Sequence, residues 1–310
     1  MSKFERSWIL FKGSVSVTLR NRKLLVFPVV TCFCTALIFL FFVAPLALRN
    51  TGYRYGELAH WKAVVQTLFT EQDSAVPGSV KERSFSLKPA GVIYAGILYF
   101  LSMFSATFFN VAFYHEILGA LKGNTVSVTS GLSFACTRLK SILMWTLFAG
   151  LVGLIIKTLE EKLDFVGQII FGMIGLAWSV ASVFVIPVII TEQSSINPVV
   201  ILKESARTLK KTWGESLIGY VGLQFGGILL LLGSILYFGA ALFASISLKN
   251  FWIVAVAGIV WLVGAVALAY VSSVASQVYR CALFLYASEG RIADPYNQEL
   301  LDLAWNRRTS

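Results

Sequence analysis

Leu24 to Leu48, LLVFPVVTCFCTALIFLFFVAPLAL, runs for twenty-five residues without a charge. Hydrocarbon about 30 Å thick is crossed by roughly twenty apolar residues in a helix, so this run can span a bilayer. Lys12, Arg20, Arg22 and Lys23 crowd its front edge and Arg49 closes the other. The apolar core of a signal peptide is shorter, and no small-residue cleavage pattern follows, so the segment is expected to be retained. Apolar runs with basic edges then recur to the end of the chain. Of its 310 residues, 57% are hydrophobic and 14% charged; soluble domains carry about 25% charged residues. No polar stretch between the runs is long enough to enclose a core of its own. One integral membrane unit over 1–310 is therefore expected. The formal charge is +10, but the basic residues sit at the ends of apolar runs. That placement points to anionic lipid headgroups and not to nucleic acid.

The predicted fold class is all-α, a polytopic helical membrane protein with six transmembrane helices. The spans are read at 24–48, 91–113 (continuing as helix to Leu121), 139–156, 165–190, 216–245 and 251–279. Pro187 should kink or end the fourth, Lys157 to Asp164 (KTLEEKLD) reads as a charged turn, and Gly290 should terminate the last helix. Gly222-x-x-x-Gly226 in the fifth span allows close helix contact. Residues 49–88 form the longest polar connection, read as an extracytoplasmic loop. Within it, His60 to Thr70 suits a short amphipathic helix and Gln72 to Val80, with Pro77-Gly78, suits a turn. Six spans place residues 1–23 and 280–310 on one side. That side carries 17 Lys and Arg and the other 9, so the positive-inside rule puts both termini in the cytoplasm.

Three segments leading into spans one, three and five share a pattern. Phe4, Trp8, Phe11 and Val15 line one helical face; Leu132, Cys136, Leu139 and Leu143 repeat it, as do Leu202, Ala206, Leu209 and Trp213. Lys12, Lys140 and Lys210 hold equivalent places. The pattern reads as three repeats of interfacial helix, span out, span back. Chance similarity is the other reading, since any amphipathic helix shows this spacing. The first segment fits a helix on the membrane surface or one packed on the chain's own spans. In the third, Asn197-Pro198 supplies a helix start, Glu204 can pair with Arg207, and Lys211 can pair with Glu215. Trp8, Lys12, Lys203, Arg207, Lys210 and Lys211 are the candidate lipid- or partner-binding residues. Against this stands a solvated face that only fixes orientation.

Within the spans, Asn110 is expected to hydrogen-bond across helices. His115 and Glu116 form a candidate polar site, because ionisable groups inside membranes are costly and often functional. The competing reading puts them already at headgroup level. No phosphate-binding loop, HExxH or GxSxG occurs, and His60 has no second ligand nearby. Cys32, Cys34, Cys136 and Cys281 lack metal or redox spacing and read as apolar packing residues. No metal, no cofactor and no catalytic residues are predicted. The leading expectation is a non-enzymatic membrane protein that binds lipid or scaffolds partners through basic cytoplasmic helices. The alternative is an oligomeric channel or transporter for a small neutral or apolar solute. A membrane enzyme centred on Asn110, His115 and Glu116 is the third. Expected partners are anionic membrane lipids, a second copy or another membrane protein.

The opening Phe4-Glu5-Arg6-Ser7-Trp8-x-x-x-Lys12 and Leu24-Leu25-x-Phe27-Pro28 fit a known pattern, as do Phe108-Phe109-Asn110 and Gly175-x-Ala177-Trp178-Ser179. So do Pro187 leading to Glu192, Lys203-Glu204-Ser205, Thr212-Trp213-Gly214-Glu215 and Tyr279-Arg280-x-Ala282-Leu283. Together, in this order, they resemble the uncharacterised bacterial DUF6159 membrane proteins. His115-Glu116 departs from the pattern, which carries small apolar residues there. The resemblance implies a bacterial integral membrane protein with no assigned activity and supplies no catalytic residues; the bacterial inner membrane is the expected location.

Overall fold

The computed structural model describes residues 3–73, 83–192, 195–211 and 233–296, with 3–8, 70–73 and 83–87 as backbone alone. Among them, five helical stretches are long and apolar enough to cross a membrane. The first is α2 (Val26–Ala47), entered through a 3₁₀ turn at Arg22–Leu25. Then come α4 (Pro89–Leu121), α6 (Leu139–Lys162), the pair α7 (Phe165–Ala181) and α8 (Val185–Thr191), and α11 (Trp252–Glu289). The predicted span 216–245 lies largely outside the described residues, Gly222 and Gly226 included; its visible part belongs to helix α10 (Gly233–Ser247). Short helices α1 (Lys3–Arg20), α5 (Val128–Thr137) and α9 (Pro198–Lys211) precede α2, α6 and the segment leading to α10.

Helix length decides where the core sits. At 1.5 Å per residue, the 33 residues of α4 and the 38 of α11 run about 50 and 57 Å, well beyond a hydrocarbon layer of about 30 Å. The surplus lies at their C-terminal ends, where Val111 to Leu121 and Val274 to Tyr286 hold about half of the buried apolar residues among those described. Helices α1, α5, α8 and α9 pack onto those ends. Leu24, Phe27, Ala135, Ile142, Phe184, Ile189 and Ile201 complete one continuous core there. Toward the opposite end the helices turn their apolar side chains outward. Phe41, Phe165 and Trp252 are each more than 70% exposed, as befits side chains that face lipid.

At that far end, the 49–88 connection contains α3 (Leu58–Leu68) and an antiparallel pair, β1 (Phe69–Asp73) with β2 (Arg83–Leu87), in register Phe69–Leu87 to Asp73–Arg83. The expected helix over His60–Thr70 thus stops at Leu68, and a short hairpin is added to the otherwise helical fold. His60 is fully buried and ties the loop to α2. Its Nε2 donates to the Ala47 carbonyl at 2.9 Å, which leaves Nδ1 to accept from the Thr51 hydroxyl at 2.6 Å.

One expected turn is corrected, and the expected break at Pro187 is seen. Lys157 to Lys162 continues α6 as helix, helped by the Lys157–Glu161 pair at i,i+4. The reversal is confined to Leu163 and Asp164, whose carboxylate accepts from Gly167 N at 3.2 Å and caps α7. The fourth span breaks at Ser182–Phe184, one turn before Pro187. A proline has no N–H for the carbonyl four residues back and its ring collides with it, so the disruption falls N-terminal to Pro187 itself. Gly290, at φ 64°, ends α11 as the sequence predicts.

Helix α5 lies against α4 through Gly131. A Cβ there would come within 2.8 Å of the Ala112 carbonyl oxygen and 2.9 Å of Glu116 Cγ. Gly131→Ala should therefore lower the melting temperature of detergent-solubilised protein by several degrees, because a backbone atom cannot move aside. Gly96→Ala, where nothing lies within 4 Å, should leave it unchanged.

Candidate functional site

Each short helix at the core end is fastened by a buried polar contact. On α1, Leu10, Ser14, Val17 and Thr18 face inward, toward α11 and residues 291–296. Ser14 Oγ donates to the Leu10 carbonyl at 3.0 Å, so the Tyr296 hydroxyl is the donor in their 2.7 Å contact. Burial pushes the Tyr296 hydroxyl well above its ordinary titration range, and it stays protonated to make that bond. On α5, the N-terminal amide of Ser127 donates to Glu116 Oε2 at 2.7 Å. The carboxylate therefore sits at the positive end of the α5 dipole. On α9, Ser205 Oγ donates to the Ala181 carbonyl at 2.6 Å and accepts from Phe184 N at 3.1 Å. Those backbone groups are two that the α7–α8 break leaves over, and Ser205 is fully buried between them.

The inward face differs from the sequence expectation by one residue, in the same sense, on all three helices. Where the apolar stripes run through Phe11 and Val15, Leu132 and Cys136, and Leu202, Ala206 and Leu209, the buried residues are Leu10 and Ser14, Gly131 and Ala135, and Ile201, Ser205 and Thr208. Beside Leu10 and Ile201, these faces carry small or hydroxylated residues, which allow close backbone approach. The larger apolar residues flank them. A signal was present: each stripe carries a small residue, Ser14, Ala135 or Ser205, one position ahead of a stripe member.

This packing sets what the predicted site residues do. Lys12 on α1 and Lys203, Arg207, Lys210 and Lys211 on α9 are exposed. Arg207 pairs with Glu204 at 2.9 Å, as its spacing predicts, whereas no ion pair engages Lys12, Lys203, Lys210 or Lys211 among the described residues. Asn197 caps α9 through Val199 N at 2.9 Å; Trp8 is described as backbone only and Glu215 lies outside the described residues. His115 stacks on Phe134 of α5, ring centroids 3.9 Å apart and 11° from parallel. With Glu116 it forms the seat of α5, inside the core end and two turns from the end of α4. Asn110 is half-buried, and no described residue hydrogen-bonds its side chain. Arg138 reaches the Ile190 carbonyl at 3.4 Å and lies 5.7 Å over the Phe134 ring, which ties α5 to the end of α8. Among the described residues no group of three His, Cys, Asp or Glu is placed to hold a metal.

Removing the α9 clamp with Ser205→Ala leaves a buried amide and carbonyl without partners, a cost of about 1–3 kcal/mol. A clear fall in thermal stability in detergent should follow, while Ser16→Ala on the exposed face of α1 should be silent.

No curated protein and no solved structure matches the chain. A family model of unknown function matches residues 90–294, two thirds of the chain, covering α4 through the Tyr296-bearing turn as far as Asp294 and leaving α1 and α2 outside. The chain belongs to that family, DUF6159.

Proposed function

We propose that this is a non-enzymatic protein of a bacterial inner membrane whose exposed basic helices hold anionic lipid headgroups. It has six spans, both termini in the cytoplasm, and three units of short helix, span out, span back. The observation that carries the reading is the face of α9. Its inner side is committed to the core by Ile201, Ser205 and Thr208, which leaves Lys203, Lys210 and Lys211 outward without carboxylate partners among the described residues. Anchored beside the spans, such ammonium groups lie where headgroup phosphates lie, and each is worth about 1 kcal/mol near an anionic surface. The orientation follows from the basic side being the core end. The common one-residue offset of the buried faces of α1, α5 and α9 supports the threefold unit. Scaffolding of a membrane partner would use the same face.

The test is native mass spectrometry of the protein from mild detergent, titrated with phosphatidylglycerol. Lys203→Gln, Lys210→Gln and Lys211→Gln combined should lower total anionic lipid retained by roughly tenfold or more at a limiting lipid ratio. Arg207→Gln, whose charge already meets Glu204, should change it little. Unaltered retention in the triple variant overturns the lipid reading of α9.

A further inference from the structure

The opposite end of the protein carries a second, independent feature. Along the last three turns of α2, Leu37, Phe41, Pro45 and Leu48 recur at helical spacing and line an open groove, closed on its other side by Leu101 of α4. Every lining residue is apolar. From Leu37 to Leu48 the helix rises about 16 Å, close to half the hydrocarbon thickness of about 30 Å. The groove therefore has the depth of one leaflet.

The groove's polar end is basic. Arg49 follows Leu48 directly, and its Nη1 is held at 3.3 Å from Thr67 Oγ1. Lys88, just ahead of α4, holds its Nζ 2.7 Å from the Gln66 carbonyl. Both cations are thus fixed against the last turn of α3, at the ends of the two helices that form the groove. Neither forms an ion pair among the described residues. An apolar slot one leaflet deep, topped by two cations that form no ion pair among the described residues, complements an anionic amphiphile.

We infer that this groove binds one anionic phospholipid of the leaflet on the α3 side, with an acyl chain along α2 and the headgroup phosphate at Arg49 and Lys88. The site is separate from the α9 face and does not depend on the function proposed for it. The 310-residue chain, in mild detergent, would be offered phosphatidylglycerol or phosphatidylcholine at equal low excess and examined by native mass spectrometry. One phosphatidylglycerol per chain should persist, retained at least about tenfold over phosphatidylcholine. Arg49→Gln with Lys88→Gln should abolish that preference, and Arg49→Lys with Lys88→Arg should restore it, which a merely structural role in capping α3 would not require. Leu101→Trp, which fills the groove and leaves both cations, should expel the same lipid. The Lys203, Lys210 and Lys211 triple variant should keep it, so failure of either site is seen separately. Equal retention of the two lipids, or a tightly held lipid that survives both the charge and the groove variants, overturns the inference.

Discussion

A helix can cross hydrocarbon with about twenty residues, and two helices of this protein are half as long again or more. That mismatch organises the rest. The excess turns of α4 and α11 leave the apolar layer carrying large side chains that water would not tolerate, and α1, α5, α8 and α9 bury them. The result is a protein with two regimes. Within the bilayer, helices expose Phe, Leu and Ile to lipid and gain little from mutual contact. At one end, burial from water is available as a driving force, and a packed core forms there.

Apolar burial is non-directional, so it cannot by itself set the register of three short helices. Buried polar contacts do. Tyr296 meets Ser14, Glu116 meets the first turn of α5, and Ser205 meets the broken span. In each case misplacing the helix by one residue would strand a hydrogen-bonding group away from water. The same clamps decide which charges are left outside. Because Ser205 points inward, Lys203, Lys210 and Lys211 point out. The polar contacts that hold the helices thus also orient the surface for which a function is proposed.

Much of this was readable from residue order. The long charge-free run at Leu24–Leu48, the start of α9 at Asn197-Pro198, the Glu204–Arg207 pair and the stop at Gly290 are local features, governed by hydropathy, capping and i,i+3 spacing. The inward faces were less legible, because a hydropathy pattern weights bulk and the actual contacts are made by Ser14, Gly131 and Ser205. His115 and Glu116 show the same limit. As ionisable residues late in an apolar helix they suggested a polar site, yet their partners, Phe134 and the Ser127 amide, lie 11 to 19 residues away and are brought close only by the turn of α5 back onto α4.

The sequence by itself determined that this chain carries helices long and apolar enough to cross a membrane, and that its basic residues gather at the ends of apolar runs. These follow from the cost of burying charge and unpaired backbone in hydrocarbon, which acts residue by residue. Only the tertiary structure decided that the core lies at one end, which face of each short helix is committed to it, and that Arg49 and Lys88 converge on one turn of α3. Those depend on contacts between segments far apart in the chain, where close packing and hydrogen-bond geometry choose among faces that hydropathy alone leaves equivalent.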